Sequence, residues 1–300
     1  VPDIWKTALE EIRAADEPVV VISSENFDRL DAGGVQRLAG ILDEVPDQAT
    51  VDTVIYLRPQ ARLLASQYNQ QVKEGFRTDS FEAFMEEALR NTPPWLCFRE
   101  LVENWRAAFG ERLVVHVAEP GHLVGNSVRD DFLQYVGRAD LTGSLRGPAR
   151  RNASLNTAAL TGIRDVVRAG VLSALAEEER RRLLAGFYDQ WLEKPYLKRD
   201  ENADLFGGAG DLLPWQLERC REWFGADNRW LADHCFGGRD RLDECYAAAI
   251  DCAREQGGEA GGPDSALRSR TRNSLIAFLR EQGYGHLVEN ATGQLPADTE

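Results

Sequence analysis

The 300-residue sequence predicts an α/β fold, with a short parallel sheet covered by helices over 1–150 and a mainly helical second half. Three observations carry this expectation. Short β-branched runs alternate with segments of helical period through the first half, the pattern of a parallel sheet with helices on its faces. Strand signals then stop near residue 145 while helical periodicity continues. With 43% hydrophobic and 28% charged residues, the chain can bury one large core or two smaller ones.

The elements follow in order. Ile4 to Ala15 has amphipathic helical spacing. Pro18-Val19-Val20-Val21-Ile22-Ser23-Ser24 is short, apolar and β-branched, and is expected to be a buried strand. Val35 to Leu42 is a short helix and Asp52 to Leu57 the next strand. Pro59 fixes its own φ and lacks an N–H, so it suits the first turn of a helix running to Lys73. Phe81 to Leu89 follows, with Asp79 or Ser80 as N-cap. Phe98 to Phe109 is closed by Gly110 at a C-cap position. Arg112 to Ala118 is a third strand, and Val128 to Val136 a helix ended by Gly137. Beyond it, Ala158 to Arg168, Leu172 to Leu192, Pro214 to Phe224, Arg239 to Ala253 and Ser265 to Gln282 all have helical spacing. Gly257 to Pro263 is a break, and the end after Asn290 is expected to fray. The implied organisation is an α/β core over 1–150, a helical extension over 151–256 packed on it, and a linker, terminal helix and tail over 257–300.

The formal net charge is −14, which argues against a nucleic-acid-binding surface and for a soluble, cytoplasmic protein. The cysteines, Cys97, Cys220, Cys235, Cys245 and Cys252, are five in number and lack CxxC spacing, so neither a zinc site nor a disulfide framework is expected. No stretch approaches the roughly 20 apolar residues of a membrane span, and the start has no signal-peptide pattern.

Arg58 and Ser66 carry the functional expectation. Arg58 ends the strand Thr53 to Leu57, and Ser66 lies two turns into the next helix. Ligands of open parallel sheets bind outside the carboxyl ends of the strands. A guanidinium fork and a hydroxyl there suit a phosphate monoester.

With these residues in place, the stretch resembles the 3′-phosphate-binding element of the P-loop sulfotransferases, which use 3′-phosphoadenosine 5′-phosphosulfate (PAPS). Further motifs resemble a bacterial branch of that superfamily: Ser23-Ser24-Glu25, the helix Ser66 to Gly75, Trp105 to Gly110, Asp131-Phe132-Leu133 and Arg151-Asn152-Ala153-Ser154-Leu155. The resemblance covers about residues 18 to 160. It implies a P-loop-type three-layer αβα core and transfer of a sulfuryl group from PAPS to an acceptor hydroxyl, on a carbohydrate or glycolipid, without a metal. It assigns Arg58 and Ser66 to the donor's 3′-phosphate. It places the basic residues Arg150 and Arg151 in a loop comparable to one that closes over that phosphate. It also makes Glu25 the general base. The family's other donor site is a Lys-x-Gly-Thr-like loop, and neither that pattern nor GxxxxGK[ST] occurs in these 300 residues. The expectation is therefore a chain lacking its N-terminal loop. The alternative is a non-catalytic binding protein retaining the 3′-phosphate half-site; a nucleotide kinase would need a Walker lysine that this sequence does not contain.

Other residues have plainer readings. Arg58 would otherwise cap the strand edge and pair with Asp52 or Glu25. His116, in an apolar strand, is expected to be a satisfied core or edge residue. Lys73 and Arg77 are expected to be solvated helix-end charges. Trp191, Trp215, Trp223 and Trp230 have helical spacings that argue packing rather than sugar platforms.

Overall fold

The computed structural model describes residues 3–46, 49–142, 155, 157–193, 212–255 and 265–295. The elements described, in chain order, are α1 (Asp3–Ala14), α2 (Ala32–Leu42), β1 (Thr53–Leu57), α3 (Gln60–Lys73), α4 (Phe81–Arg90), α5 (Phe98–Phe109), β2 (Leu113–Val117) and α6 (Val128–Tyr135). They continue with α7 (Thr157–Arg168), α8 (Glu177–Glu193), α9 (Pro214–Cys235), α10 (Arg241–Glu255), α11 (Ser265–Glu281) and α12 (Gly285–Ala291). The fold is α/β in the coarse sense: mostly helical, with a two-stranded parallel sheet among the described residues.

The chain forms two compact units, each drawn from several stretches. One comprises Val1–Gln60, Arg90–Gly147 and Arg221–Ala247; the other comprises Ala61–Leu89, Pro148–Cys220 and Ala248–Glu300. The first contains the sheet. β1 pairs parallel with β2 in the register Thr53↔Leu113 to Leu57↔Val117. Parallel pairing requires a long crossover, here the helices between the strands. In β2, Leu113, Val115 and Val117 are buried and Val114 and His116 are half-buried, the period of two that places alternate residues on opposite faces. Val35 and Leu38 of α2 and Val102 and Trp105 of α5 belong to the same unit's core. Asp31 caps α2, its Oδ1 accepting from the Gly34 N–H. Gly110 ends α5 at φ 60°, a conformation that glycine adopts without Cβ strain.

The expected buried strand over Pro18 to Ser24 is not formed. Val19 to Ile22 is neither helical nor part of a ladder among the described residues, and these four side chains are 42–53% exposed. A β-branched run sets the backbone conformation; burial and pairing require a neighbouring strand, which the run does not encode. Other elements also differ. α8 begins at Glu177 rather than Leu172, because Gly170 (φ 77°) starts a turn closed by the Ser173 N–H on the Gly170 carbonyl. Its first turn carries Glu177, Glu178 and Glu179, which favour the positive end of a helix dipole. α9 runs through Gly225 to Cys235, past the expected end at Phe224. α12 lies between the last helix expected, Ser265 to Gln282, and the end after Asn290, in a stretch with no expected element. The Gly257 to Pro263 break lies outside the described residues.

In the second unit, α7 packs along α11. Ala159, Ile163 and Val166 of α7 and Leu275 and Leu279 of α11 are buried. Arg268 donates to both oxygens of the nearly buried Asp165, at 2.7 and 3.0 Å. Cys220 of α9 is buried, and burial, reinforced by the neighbouring Glu86 carboxylate, pushes its thiol up from 9.0 to about 12. Because the folded value is raised, the stabilisation is fully present below pH 9 and is lost as pH rises from 9 toward 12. Over that window stability should fall by up to about 1.4 kcal/mol per pH unit from this group. Urea denaturation at pH 8, 10 and 11 checks this: Cys220→Ala should flatten the alkaline loss, and an unchanged slope would show that the thiol does not contribute.

Candidate functional site

Both strands of the parallel sheet end at the same edge, and Arg58 stands there, directly after β1. The residues on either side of it are fixed. The Leu57 carbonyl accepts from the Ala118 N–H at 2.7 Å, extending the ladder one step past the strand ends. Pro59 and Gln60 are buried. The Gln60 side chain donates through Nε2 to Asn228 Oδ1 at 2.8 Å and accepts at Oε1 from the Tyr246 hydroxyl at 3.2 Å. Arg58 itself is exposed and has no hydrogen-bond or ion-pair partner among the described side chains. Of the two partners expected as the alternative, Asp52 is not paired with it, and the Glu25 side chain lies outside the described ones. An unpaired guanidinium on a held backbone offers its fork of donors to an anion.

The loop after β2 shares this edge and is tied down from below. Asp131 of α6 is nearly buried. Its Oδ2 accepts from the Tyr56 hydroxyl at 2.8 Å and from His116 Nδ1 at 3.0 Å, while its Oδ1 accepts from the Val124 N–H at 3.0 Å. Tyr56 and His116, paired in register across the strands, stack at 5.0 Å between ring centroids. Burial first, then the hydrogen bond to Asp131, pushes the Tyr56 phenol well above its ordinary value. The other His116 ring nitrogen, Nε2, is buried without a hydrogen-bond partner among the described residues. His116 is thus a half-buried strand residue held through one ring nitrogen. Within the loop, Asn126 Oδ1 accepts from the Gly121 N–H at 2.8 Å, and Asn126 itself sits at φ 54°, a conformation that asparagine tolerates better than most residues. Glu119, two residues past β2, is buried.

Ser66 lies in α3, half-buried. The unit boundary falls between Gln60 and Ala61, so Arg58 belongs to the first unit and Ser66 to the second. One turn on from Ser66, Asn69 is buried and clamps the Leu155 backbone, donating to its carbonyl at 2.7 Å and accepting from its N–H at 3.4 Å. The same stripe ends at Lys73, whose Nζ lies 5.7 Å from the centre of the Tyr188 ring. Burial pushes the Lys73 ammonium down, so it is not the solvated helix-end charge expected. Arg77 is not solvated either: it pairs with Asp79 at 2.9 Å and Glu87 at 2.7 Å.

Glu25, the expected base, opens a short helical turn over Glu25–Arg29, entered through Ser24, whose Oγ accepts from the Asn26 N–H at 3.1 Å. The Glu25 side chain lies outside the described ones. Arg150 and Arg151 also lie outside the described residues. Of the tryptophans, Trp215 and Trp223 are each 45% exposed, so they are not the packing residues expected. Trp230 stacks on His234 at 4.2 Å, with Arg99 5.2 Å from its ring centre.

The sequence reading missed Gln60, Asn228 and Tyr246 as a group, and it missed the role of Asp131. Asp131 stands in the Asp-Phe-Leu motif, and an acid on the inward side of a short amphipathic helix is a legible signal of a buried partner. No signal in the sequence joins Gln60 to residues 168 and 186 positions away. Among the described residues, no group of three or more His, Cys, Asp or Glu side chains could hold a metal ion, and no helix is long and apolar enough to cross a membrane. No family model matches the chain, and no curated protein or solved structure is significantly similar to it.

Proposed function

We propose that this chain binds the 3′-phosphate of PAPS through Arg58, as part of a sulfotransferase with a P-loop-type three-layer core. The observation that carries the reading is Arg58: exposed, without a partner among the described side chains, and held on both sides at the carboxyl end of a parallel strand. An arginine placed to cap or brace the fold would be paired. Among the described side chains nothing takes up its donors, at the edge where α/β folds bind phosphates. In the reaction, the acceptor hydroxyl oxygen attacks the sulfur of PAPS and a new S–O bond forms. The bond from sulfur to the 5′-phosphate oxygen breaks, and adenosine 3′,5′-bisphosphate leaves. The acceptor proton passes to Glu25. Arg150 and Arg151 are assigned to the donor and a carbohydrate or glycolipid to the acceptor side.

A second reading has one specific observation behind it. These 300 residues contain no Lys-x-Gly-Thr loop for the 5′-phosphosulfate. The chain by itself would then bind the 3′-phosphate without transferring a sulfuryl group.

Calorimetry with adenosine 3′,5′-bisphosphate tests the shared core of both readings. Arg58→Ala should weaken binding by about tenfold to a hundredfold, the loss of one or two charge-assisted hydrogen bonds. Adenosine 5′-monophosphate, which lacks the 3′-phosphate, should bind weakly to both proteins. An affinity unaffected by Arg58→Ala sinks the assignment. Release of labelled sulfate ester from PAPS onto a carbohydrate separates the enzyme from the binding protein.

A further inference from the structure

We propose that Gln60, Asn228 and Tyr246 are a buried positioning clamp for Arg58; the proposal rests on the reading of Arg58 as a phosphate contact. The three side chains are 0%, 2% and 1% exposed. The two ends of the Gln60 amide are each used once: Nε2 donates to Asn228 of α9, and Oε1 accepts from Tyr246 of α10. Burying an amide costs free energy unless its hydrogen bonds are replaced. A leucine at the first position of α3 would fill the same space without that cost. What the amide adds is direction, because it fits in one orientation toward two fixed partners.

That direction matters for the residue two positions earlier. Arg58 has the Leu57 carbonyl bonded to Ala118 on one side and Pro59, with its fixed φ, then Gln60 on the other. Its backbone is therefore set by the sheet and by the clamp together, while its side chain reaches solvent. A guanidinium fork binds phosphate well only when its plane is held near the productive geometry, and a base fixed in advance reduces the ordering cost of binding. Asn228 and Tyr246 do not touch the ligand in this arrangement; they act through Gln60 and Arg58.

The test is a double-mutant cycle read by calorimetry with adenosine 3′,5′-bisphosphate. Gln60→Leu and, as a milder variant, Tyr246→Phe are each made in the wild-type and Arg58→Ala backgrounds, with folding checked by thermal unfolding. Gln60→Leu should weaken binding by about tenfold and Tyr246→Phe by about threefold with Arg58 present. In the Arg58→Ala background both should leave the residual affinity unchanged. A merely structural role would weaken binding by the same factor in both backgrounds, and that result overturns the clamp. So does wild-type affinity in both variants when Arg58→Ala alone is defective. If Gln60→Leu fails to fold, the Tyr246→Phe cycle decides by the same criteria. If the wild type does not bind, or Arg58→Ala binds as well as wild type, the phosphate reading fails and the clamp with it; that outcome shows in the single Arg58 variant.

Discussion

Gly162→Ala should destabilise the protein by about 2–4 kcal/mol, although Gly→Ala inside a helix ordinarily stabilises. A Cβ built on Gly162 would lie 2.5 Å from the Arg268 carbonyl oxygen, 3.0 Å from Thr271 Cβ and 3.1 Å from the Arg272 N atom. Two of these are backbone atoms of α11, which cannot rotate away as a side-chain tip would. The helices would have to separate. That separation would also stretch the paired hydrogen bonds from Arg268 to the nearly buried Asp165. The propensity gain is about 1 kcal/mol at most, so the steric cost decides the sign. Gly40, in α2, supplies the matched control: it is exposed, and a Cβ added there would meet nothing within 4 Å. Gly40→Ala should stabilise by about 0.5–1 kcal/mol. Urea midpoints of the two variants should move in opposite directions. A Gly162→Ala protein as stable as wild type would mean that α7 and α11 do not approach this closely.

The contrast between these glycines shows where sequence reading stops. Both stand in helical patterns, and the pattern does not distinguish a glycine facing water from one against another backbone. The same limit separates the β-branched runs. Thr53 to Leu57 and Arg112 to Ala118 read as strands and do pair. Val19 to Ile22 has a similar β-branched composition, yet forms no strand and has no ladder partner among the described residues. Composition marks a run that suits a sheet; a ladder depends on what another part of the chain brings alongside. Local chemistry places Arg58 correctly, because Pro59 after a β-branched run marks both a strand end and a helix start. What holds Arg58 in place is illegible in the sequence, since Gln60 meets its partners across 168 and 186 residues of intervening chain. Gly225 misleads in the other direction: it suits a helix end, but packing carries α9 ten residues beyond it at the cost of roughly 1 kcal/mol in propensity.

Asp131→Ala should cost about 3–5 kcal/mol and should loosen the loop after β2 before the whole protein unfolds. The carboxylate accepts from three donors that have different origins: the Tyr56 hydroxyl on β1, His116 Nδ1 on β2 and the Val124 N–H in the loop. Each buried donor left without an acceptor costs about 1–3 kcal/mol, although partial hydration will lower the sum. Since His116 Nε2 is already buried without a hydrogen-bond partner among the described residues, removing Asp131 would leave the whole ring unsatisfied. Tyr56→Phe removes one donor and keeps the others, so it should cost only about 1 kcal/mol. Asp131→Asn is the sharper probe. Its amide keeps an acceptor for the Val124 N–H but turns an N–H₂ group toward two donors, so Tyr56 and His116 must reorient. It should fall between the other two variants. Amide hydrogen exchange separates the loop from the global effect: the Val124 N–H should exchange faster in Asp131→Ala than the stability loss alone accounts for, and should stay protected in Tyr56→Phe. If Asp131→Ala leaves the Val124 N–H protected, the carboxylate is not what holds the loop at the edge where Arg58 stands.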